Sequence, residues 1–457
     1  MNTSLPRTIR FGGILAVVAS LLAFAVRAAQ SQTPTPRRLS IGDAARLAAS
    51  QTAGVQSAQL RVEQAQSRVS QARSLLKPQA EFTPNWSAHT VNSASFGFNF
   101  PTPAGEKPLL DPNGQIIGPV KMWDFRGGVS QTIYDAAANQ RVRAARAGVS
   151  AAAADVATAA EVSATNAAAV YVRALRGEAL VQARTADSVL AAELLGIAQD
   201  QVEAGVGVAL DVTRARSQVA NARSQLIVAR NDRDRSQLEL RRALNLPLET
   251  PVVLTDSLIS SVNADALVAE QTAVDVALRT RPDLRAAAAQ LEAARQQVAI
   301  TKATRMPKVG AFANDGQNGF INHLLNTYTL GLQVSIPLYE GGRREAQAQE
   351  QESAARDIEV RQRDLRQQVT LDVRGAMLDY ASAREQVEAA TQRQRLAEQE
   401  VEQARERFRA GVAGNADVVT ASQSLNNART GVIDALTAFQ AARVSLARAQ
   451  GTVSQLR

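Results

Sequence analysis

Ala204-Gly205-Val206 is followed by Asp211-Val212, and 206 positions later the same words return as Ala410-Gly411-Val412 and Asp417-Val418. Upstream, Val129-Ser130-Gln131-Thr132-Ile133-Tyr134-Asp135 is echoed by Val334-Ser335-Ile336-Pro337-Leu338-Tyr339-Glu340 at an offset of 205. Further upstream, Lys77-Pro78-Gln79 ahead of Phe82 is echoed by Met306-Pro307-Lys308 ahead of Phe312, now at 229. Self-similarity at such long spacing means one supersecondary unit duplicated in tandem, so every element must be accounted for twice. The change of offset gives the first copy about 24 extra residues between its Pro and its Tyr. Each copy reads helix, strand, loop, strand, very long helix, glycine tip, helix.

The long segments carry coiled-coil spacing. In the second copy the apolar stripe runs Ile358, Leu365, Val369, Val373, Ala376, Tyr380, Ala383, Val387, Ala390, Ala397, Val401, Ala404, Phe408, with Arg, Glu, Gln and Asp between. No proline interrupts 136–204 or 343–410. At ~1.5 Å per residue each segment spans roughly 100 Å, far more than a globular core can use. Alanine is abundant and aromatics are only 4% of the chain, which suits thin, closely packed helical layers.

Four other segments change to a period of two. From Thr327 to Tyr339, Tyr328, Leu330, Leu332, Val334, Ile336 and Leu338 alternate with Thr329, Gly331, Gln333 and Ser335. Phe82, Pro84 and Trp86 alternate with polar neighbours, as do Trp123, Phe125, Val129 and Ile133, and more weakly Val309, Ala311 and Ala313. An apolar face opposite a polar one suits a lipid-embedded, water-lined barrel, or a soluble hairpin packed on the helices. Twelve aromatics lie in 82–134 or 312–339, and past the apolar N-terminal run only Tyr171, Tyr380, Phe408 and Phe439 fall elsewhere. That concentration favours the barrel, where aromatic girdles mark the two membrane edges. Four strands cannot close a barrel, and open edges are not tolerated in lipid, so several protomers must share one.

Arg7 and Arg10 precede an apolar run from Phe11 to Val26 with small residues after it, the pattern of an export signal over 1–28. That run is shorter than the ~20 residues of a membrane-spanning helix. The readings divide the rest into a first repeat (29–250), a linker and equatorial region (251–280), a second repeat (281–451) and a short C-terminal end (452–457). With no cysteine, disulfides, thiol catalysis and cysteine metal sites are excluded. The +8 net charge is spread over mixed charges as a solvated surface, with no nucleic-acid stripe. His89 and His323 have no companion at metal-ligand spacing and read as a lumen-facing and an extracellular-loop residue. Gly127-Gly128 and Gly341-Gly342 lack the pattern of a phosphate loop. No catalytic residue, metal or cofactor is expected.

The junction Val334-Ser335-Ile336-Pro337-Leu338-Tyr339-Glu340-Gly341-Gly342 resembles the "P-L-F-D-G-G" junction of TolC-like outer-membrane efflux proteins. Arg281-Pro282-Asp283-Leu284-Arg285 resembles that family's repeat start, and the two Ala-Gly-Val tips its helix turns. The similarity runs from about Leu39 to Gly451. It implies a mainly α protomer with a membrane β-barrel portion: a homotrimer forming a 12-stranded barrel and a periplasmic α-helical tunnel. It also implies a passive outer-membrane duct for efflux or secretion, met by a periplasmic adaptor protein and, through it, an inner-membrane transporter. Pro247 to Arg281 would contribute to an equatorial belt. The competing readings are a periplasmic adaptor or a structural periplasmic coiled coil.

Two sets of site residues follow from the resemblance. Gly205 and Val206, with Gly411 and Val412, match positions where the adaptor's helical hairpin docks; the glycines also serve to stop one helix and turn the chain. Asp417 would form a pore constriction, one acid becoming a ring of three by symmetry. Asp211, its repeat counterpart, is better read as a carboxylate favoured by the helix dipole. A member of that family carries a second acid three residues on, where this chain has Thr420, so the ring would be weaker here.

Overall fold

A computed structural model describes residues 36–96, 114–259, 269–412 and 414–456. The expected export signal, residues 97–113 and part of the 251–280 region lie outside the described residues. The chain opens with β1 (Arg37–Leu39), α1 (Ile41–Gln51), α2 (Ala53–Ser74), β2 (Gln79–Asn92) and β3 (Ile116–Asp135). It continues through α3 (Ala136–Glu203), α4 (Ala209–Ala243) and β4 (Val252–Leu254). The second copy follows with α5 (Glu270–Thr280), α6 (Pro282–Ala303), β5 (Lys308–Phe320), β6 (His323–Ser335), α7 (Arg343–Arg409) and α8 (Asn415–Gln450).

The two longest helices have 68 and 67 residues, roughly 100 Å each. Asp135 caps α3 by accepting from the Ala138 N–H at 3.0 Å, while α7 opens behind Gly342 in the left-handed region. Val369, Val373, Ala376, Tyr380, Ala383, Val387, Ala397, Val401 and Phe408 are buried on α7, and the other expected stripe members are half-buried. The heptad stripe therefore locates the seams of α7, with α8 toward the tip and with α5 and α6 nearer the sheet. Between α3 and α8 lies a buried carboxylate: Asp187, its side chain 1% exposed, takes Arg184 at 3.1 Å and Arg429 at 2.9 Å. Such a charge is tolerable inside because both of its oxygens are paired.

The four long strands form one antiparallel sheet in the order β2-β3-β5-β6, so among the described residues β2 and β6 each have one ladder only. Trp86 sits opposite Trp123, and Trp123 opposite Gly319, at the level of the short β5–β6 turn. Above that level β2 and β3 continue to Asn92 opposite Ile116, which is where the first copy spends its extra residues. One face carries Phe82, Trp86, Val129, Tyr328, Leu330, Leu332 and Val334, all exposed in the single chain. The other carries Glu81, Asp124, Arg126, Thr329 and Gln333, with Phe312 lying over Gly331.

Three details differ from the periodic reading. β6 runs His323–Ser335, not Thr327–Tyr339, because Pro337 has no N–H to donate and the chain leaves the ladder before it, although Ile336 and Leu338 stay exposed. His323 is accordingly the first residue of a strand and not a loop residue. A bulge between Thr132 and Tyr134 leaves Ile133 without a partner on β5, so Ile133 and Tyr134 are both exposed.

Midway along the helices sits a belt. β1 pairs in parallel with β4, and the Ile41 N–H donates to Asp256 Oδ2 at 2.7 Å. The Tyr171 hydroxyl donates to the Leu39 carbonyl at 2.8 Å, tying the belt to α3. The 251–280 stretch holds a helix of its own: α5 packs Ala273, Val274 and Ala277 against Val369 and Val373, repeating for α6 the position α1 takes before α2. The four aromatics of the long helices are all buried, three at belt level (Tyr171, Tyr380, Phe439) and one, Phe408, near the tips.

Candidate functional site

The far end of both hairpins is built from the same two local rules. A helix end leaves four carbonyls without partners, and a residue at positive φ lets the chain fold back onto them. At the first tip Gly205 has φ +76°, its N–H donates to the Val202 carbonyl at 3.1 Å, and the Val206 N–H to Gln201 at 3.0 Å. At the second, Gly411 has φ +72°, its N–H donates to Phe408 and that of Val412 to Arg407, both at 3.0 Å. These are two Schellman caps, residue for residue.

What the caps leave outside is apolar. In such a cap the residue after the glycine usually folds back on the helix. Here Val206 is 78% and Val412 72% exposed, joined at the first tip by Val208 and Leu210. A Cβ added at Gly205 or Gly411 would meet nothing within 4 Å, so backbone is bare toward solvent at both places. Gly207 differs: a Cβ there would lie 2.8 Å from the Val202 nitrogen, so its role is close packing within the tip.

The two tips are also fastened to each other. Gln201 Nε2 donates to the Phe408 carbonyl at 2.6 Å, and Asn415 Nδ2 donates to the Asp211 carbonyl at 2.9 Å. Between these bonds Phe408 is enclosed by Leu194, Ala198, Ala215 and Val418. The fold thus brings Gly205, Val206, Gly411 and Val412 to one pole and links their hairpins. Sequence reading missed Gln201 and Asn415. Their repeat counterparts at an offset of 206 are Arg407 and Ala209, so a break in the repeat is the one signal that singles them out.

The two aspartates part company. Asp211 lies in the first turn of α4 with Arg214 one turn away at 3.7 Å, a local surface pair. Asp417, in the first turn of α8, is exposed and takes no ion pair among the described residues.

Comparisons with known proteins bear on the whole architecture. A family model described as outer membrane efflux protein matches residues 44–246 and 273–452. The alkaline protease secretion protein AprF of Pseudomonas aeruginosa is 27% identical over 238 residues, 50% of this chain and 49% of that one. The chain therefore spans about half the length of this curated relative. Among solved structures, the outer-membrane channel OprN overlays with a TM-score of 0.72 at 16% identity, covering 91% of each chain. The outer membrane protein VceC of Vibrio cholerae overlays at 0.69 and 18% identity, covering 90% of this chain and 96% of that one. At such identities these overlays speak for the fold.

Proposed function

Since this chain belongs to the outer membrane efflux protein family, we propose that it is the passive exit duct of an efflux or secretion assembly, working as a homotrimer. It is a protein of the outer membrane with a large periplasmic helical extension. In the trimer β2 of one protomer pairs with β6 of the next, and the resulting 12 strands close one barrel. The sheet carries this reading. It exposes an apolar band (Phe82, Trp86, Val129, Leu330, Leu332, Val334), with Asp315, Gln317 and Lys121 on the same face only toward its outer end. Among the described residues it ends in two unpaired edges, which lipid tolerates only when closed into a ring. Below it the helices continue the bore as a tunnel.

The bare glycine backbone and exposed valines of the tips would seat the helical hairpin of a periplasmic adaptor, through which an inner-membrane transporter supplies the energy. Small residues let helices approach closely, and Val206 and Val412 would bury apolar area on docking. Asp417, exposed and without an ion-pair partner among the described residues, would give three carboxylates at the tunnel mouth that favour cations.

The test is the single-channel conductance and oligomeric mass of the purified protein in a planar bilayer. The expectation is a trimer with small cation-selective currents, their selectivity reduced in Asp417→Asn. Undiminished selectivity in that variant would remove the acid ring alone. A monomer that is silent in the bilayer would refute the duct.

A further inference from the structure

Just below the barrel, α2, α3 and α6 enclose an open groove of about 650 Å³. Its floor is the α3 stretch Ala144, Ala145 and Gly148, and its rim carries Arg61 and Arg68 from α2 and Arg141 from α3. Arg61 and Arg68 are one heptad apart and so share a face of α2. None of the three arginines makes an ion pair or side-chain hydrogen bond among the described residues. The one acid in the lining, Asp155, lies two heptads down α3 from Arg141, where it accepts from Gln290 at 3.3 Å.

The groove's side of the wall follows from helix phase. The belt meets α3 through Tyr171, which donates to the Leu39 carbonyl, and through Glu161, whose Oε1 accepts from the Val453 N–H at 3.0 Å. Stepped back from Tyr171 by heptads, the belt face passes through Ala164, Ala157, Ser150 and Arg143. The groove face passes through Asp155, Gly148 and Arg141, two residues and hence about 200° from the Tyr171 row, and one residue, about 100°, from the Glu161 row. A belt has to lie outside a tunnel that stays open, so the groove opens to the bore.

We propose that Arg61, Arg68 and Arg141, three times over in the trimer, form an anion-binding collar in the upper tunnel. Its ligands are organic anions with an apolar body, such as aryl sulfonates and carboxylates. Guanidinium forks match sulfonate and carboxylate oxygens, and the alanine floor offers the apolar surface on which such a body loses water. The inference rests on the trimeric-duct reading, and it assigns the collar a preference opposite to that of the Asp417 mouth.

The probe is 1-naphthalenesulfonate, added to a planar bilayer holding the conducting trimer, with naphthalenemethanol as the uncharged control. Current block by the sulfonate alone is expected. The half-blocking concentration should rise at least about tenfold in the triple variant Arg61→Gln/Arg68→Gln/Arg141→Gln, the loss of one charge-assisted contact. Arg143→Gln, on the belt face, should leave block unchanged. Gly148→Leu, whose added side chain starts in space empty to 4 Å, should weaken block by filling the floor while leaving every charge in place. Equal block in wild type and triple variant, or no block of a conducting wild type, overturns the collar. If the triple variant fails to assemble, Gly148→Leu decides, and undiminished block there overturns it. Wild type without conductance would sink the duct reading first.

Discussion

Leu332→Arg places a charge on the outward row of β6, and its cost can be worked from the register. The exposed row begins at Tyr328 and ends at Leu338, beyond the ladder. Ten steps of ~3.3 Å at a tilt of ~40° make a band about 25 Å tall, the height of the apolar belt of an outer-membrane barrel. Tyr328 and Tyr339 then mark its two edges, and Leu332 and Val334 fall at its middle. A charge there costs about 2–4 kcal/mol in each protomer, but only about 0–1 near the edges. Leu332→Arg should therefore lower barrel stability by about 6–12 kcal/mol per trimer, and Tyr328→Arg by far less. Thr329→Arg, on the polar face between them, should cost almost nothing. The assay is urea unfolding of the protein folded into lipid vesicles, with trimer survival in mild detergent as a second readout. Equal costs at 329 and 332, or equal costs at 328 and 332, would refute a lipid-facing row centred there.

Other residues give sharp expectations. Gly205→Leu and Gly411→Leu each force a side chain into the left-handed region at about 1–2 kcal/mol, too little to unfold 100 Å hairpins, so the trimer should persist while crosslinking to the adaptor falls. Unchanged crosslinking in both variants would remove the tips as the docking surface. Gln201→Ala and Asn415→Ala should each release about 1 kcal/mol of inter-hairpin bonding, seen as roughly fivefold faster amide exchange near the tips. Exchange as slow as in wild type would show those bonds to be idle. Burial pushes the Glu161 carboxyl above its ordinary 4.5, only partly offset by the Val453 N–H it accepts. Its charged form is thus disfavoured in the folded state, a cost present at neutral pH and relieved as pH falls through the raised value toward 4.5. Glu161→Gln keeps the acceptor and should flatten thermal melting against pH just above 4.5; an unaltered slope would place the titration elsewhere.

Periodicity made much of this molecule readable. Heptad spacing located the α7 seam, and alternation of two located the outward face of the sheet, because each depends only on which side of a local helix or strand a residue occupies. The positive-φ glycines of the tips were legible for the same reason: Gly205 and Gly411 answer a demand set within a few residues of chain. Strand ends were less so, since Pro337 and the bulge at Ile133 act through a neighbour's hydrogen bonds. The helix at 270–280 was hidden in a stretch of mixed polarity, and its buried residues, Ala273, Val274 and Ala277, become a core only against the facing valines of α7.

The sequence by itself determined the duplicated unit, the lengths of its helices, the two faces of its sheet and the caps at its tips. Tertiary structure alone decided that Gln201 meets Phe408, that Asn415 meets Asp211, that Asp187 is held between Arg184 and Arg429, and that three arginines ring one groove on the side away from the belt. Local periodicity says which way a side chain points. What it points at, across some 200 residues of intervening chain, is set by how the helices settle against one another.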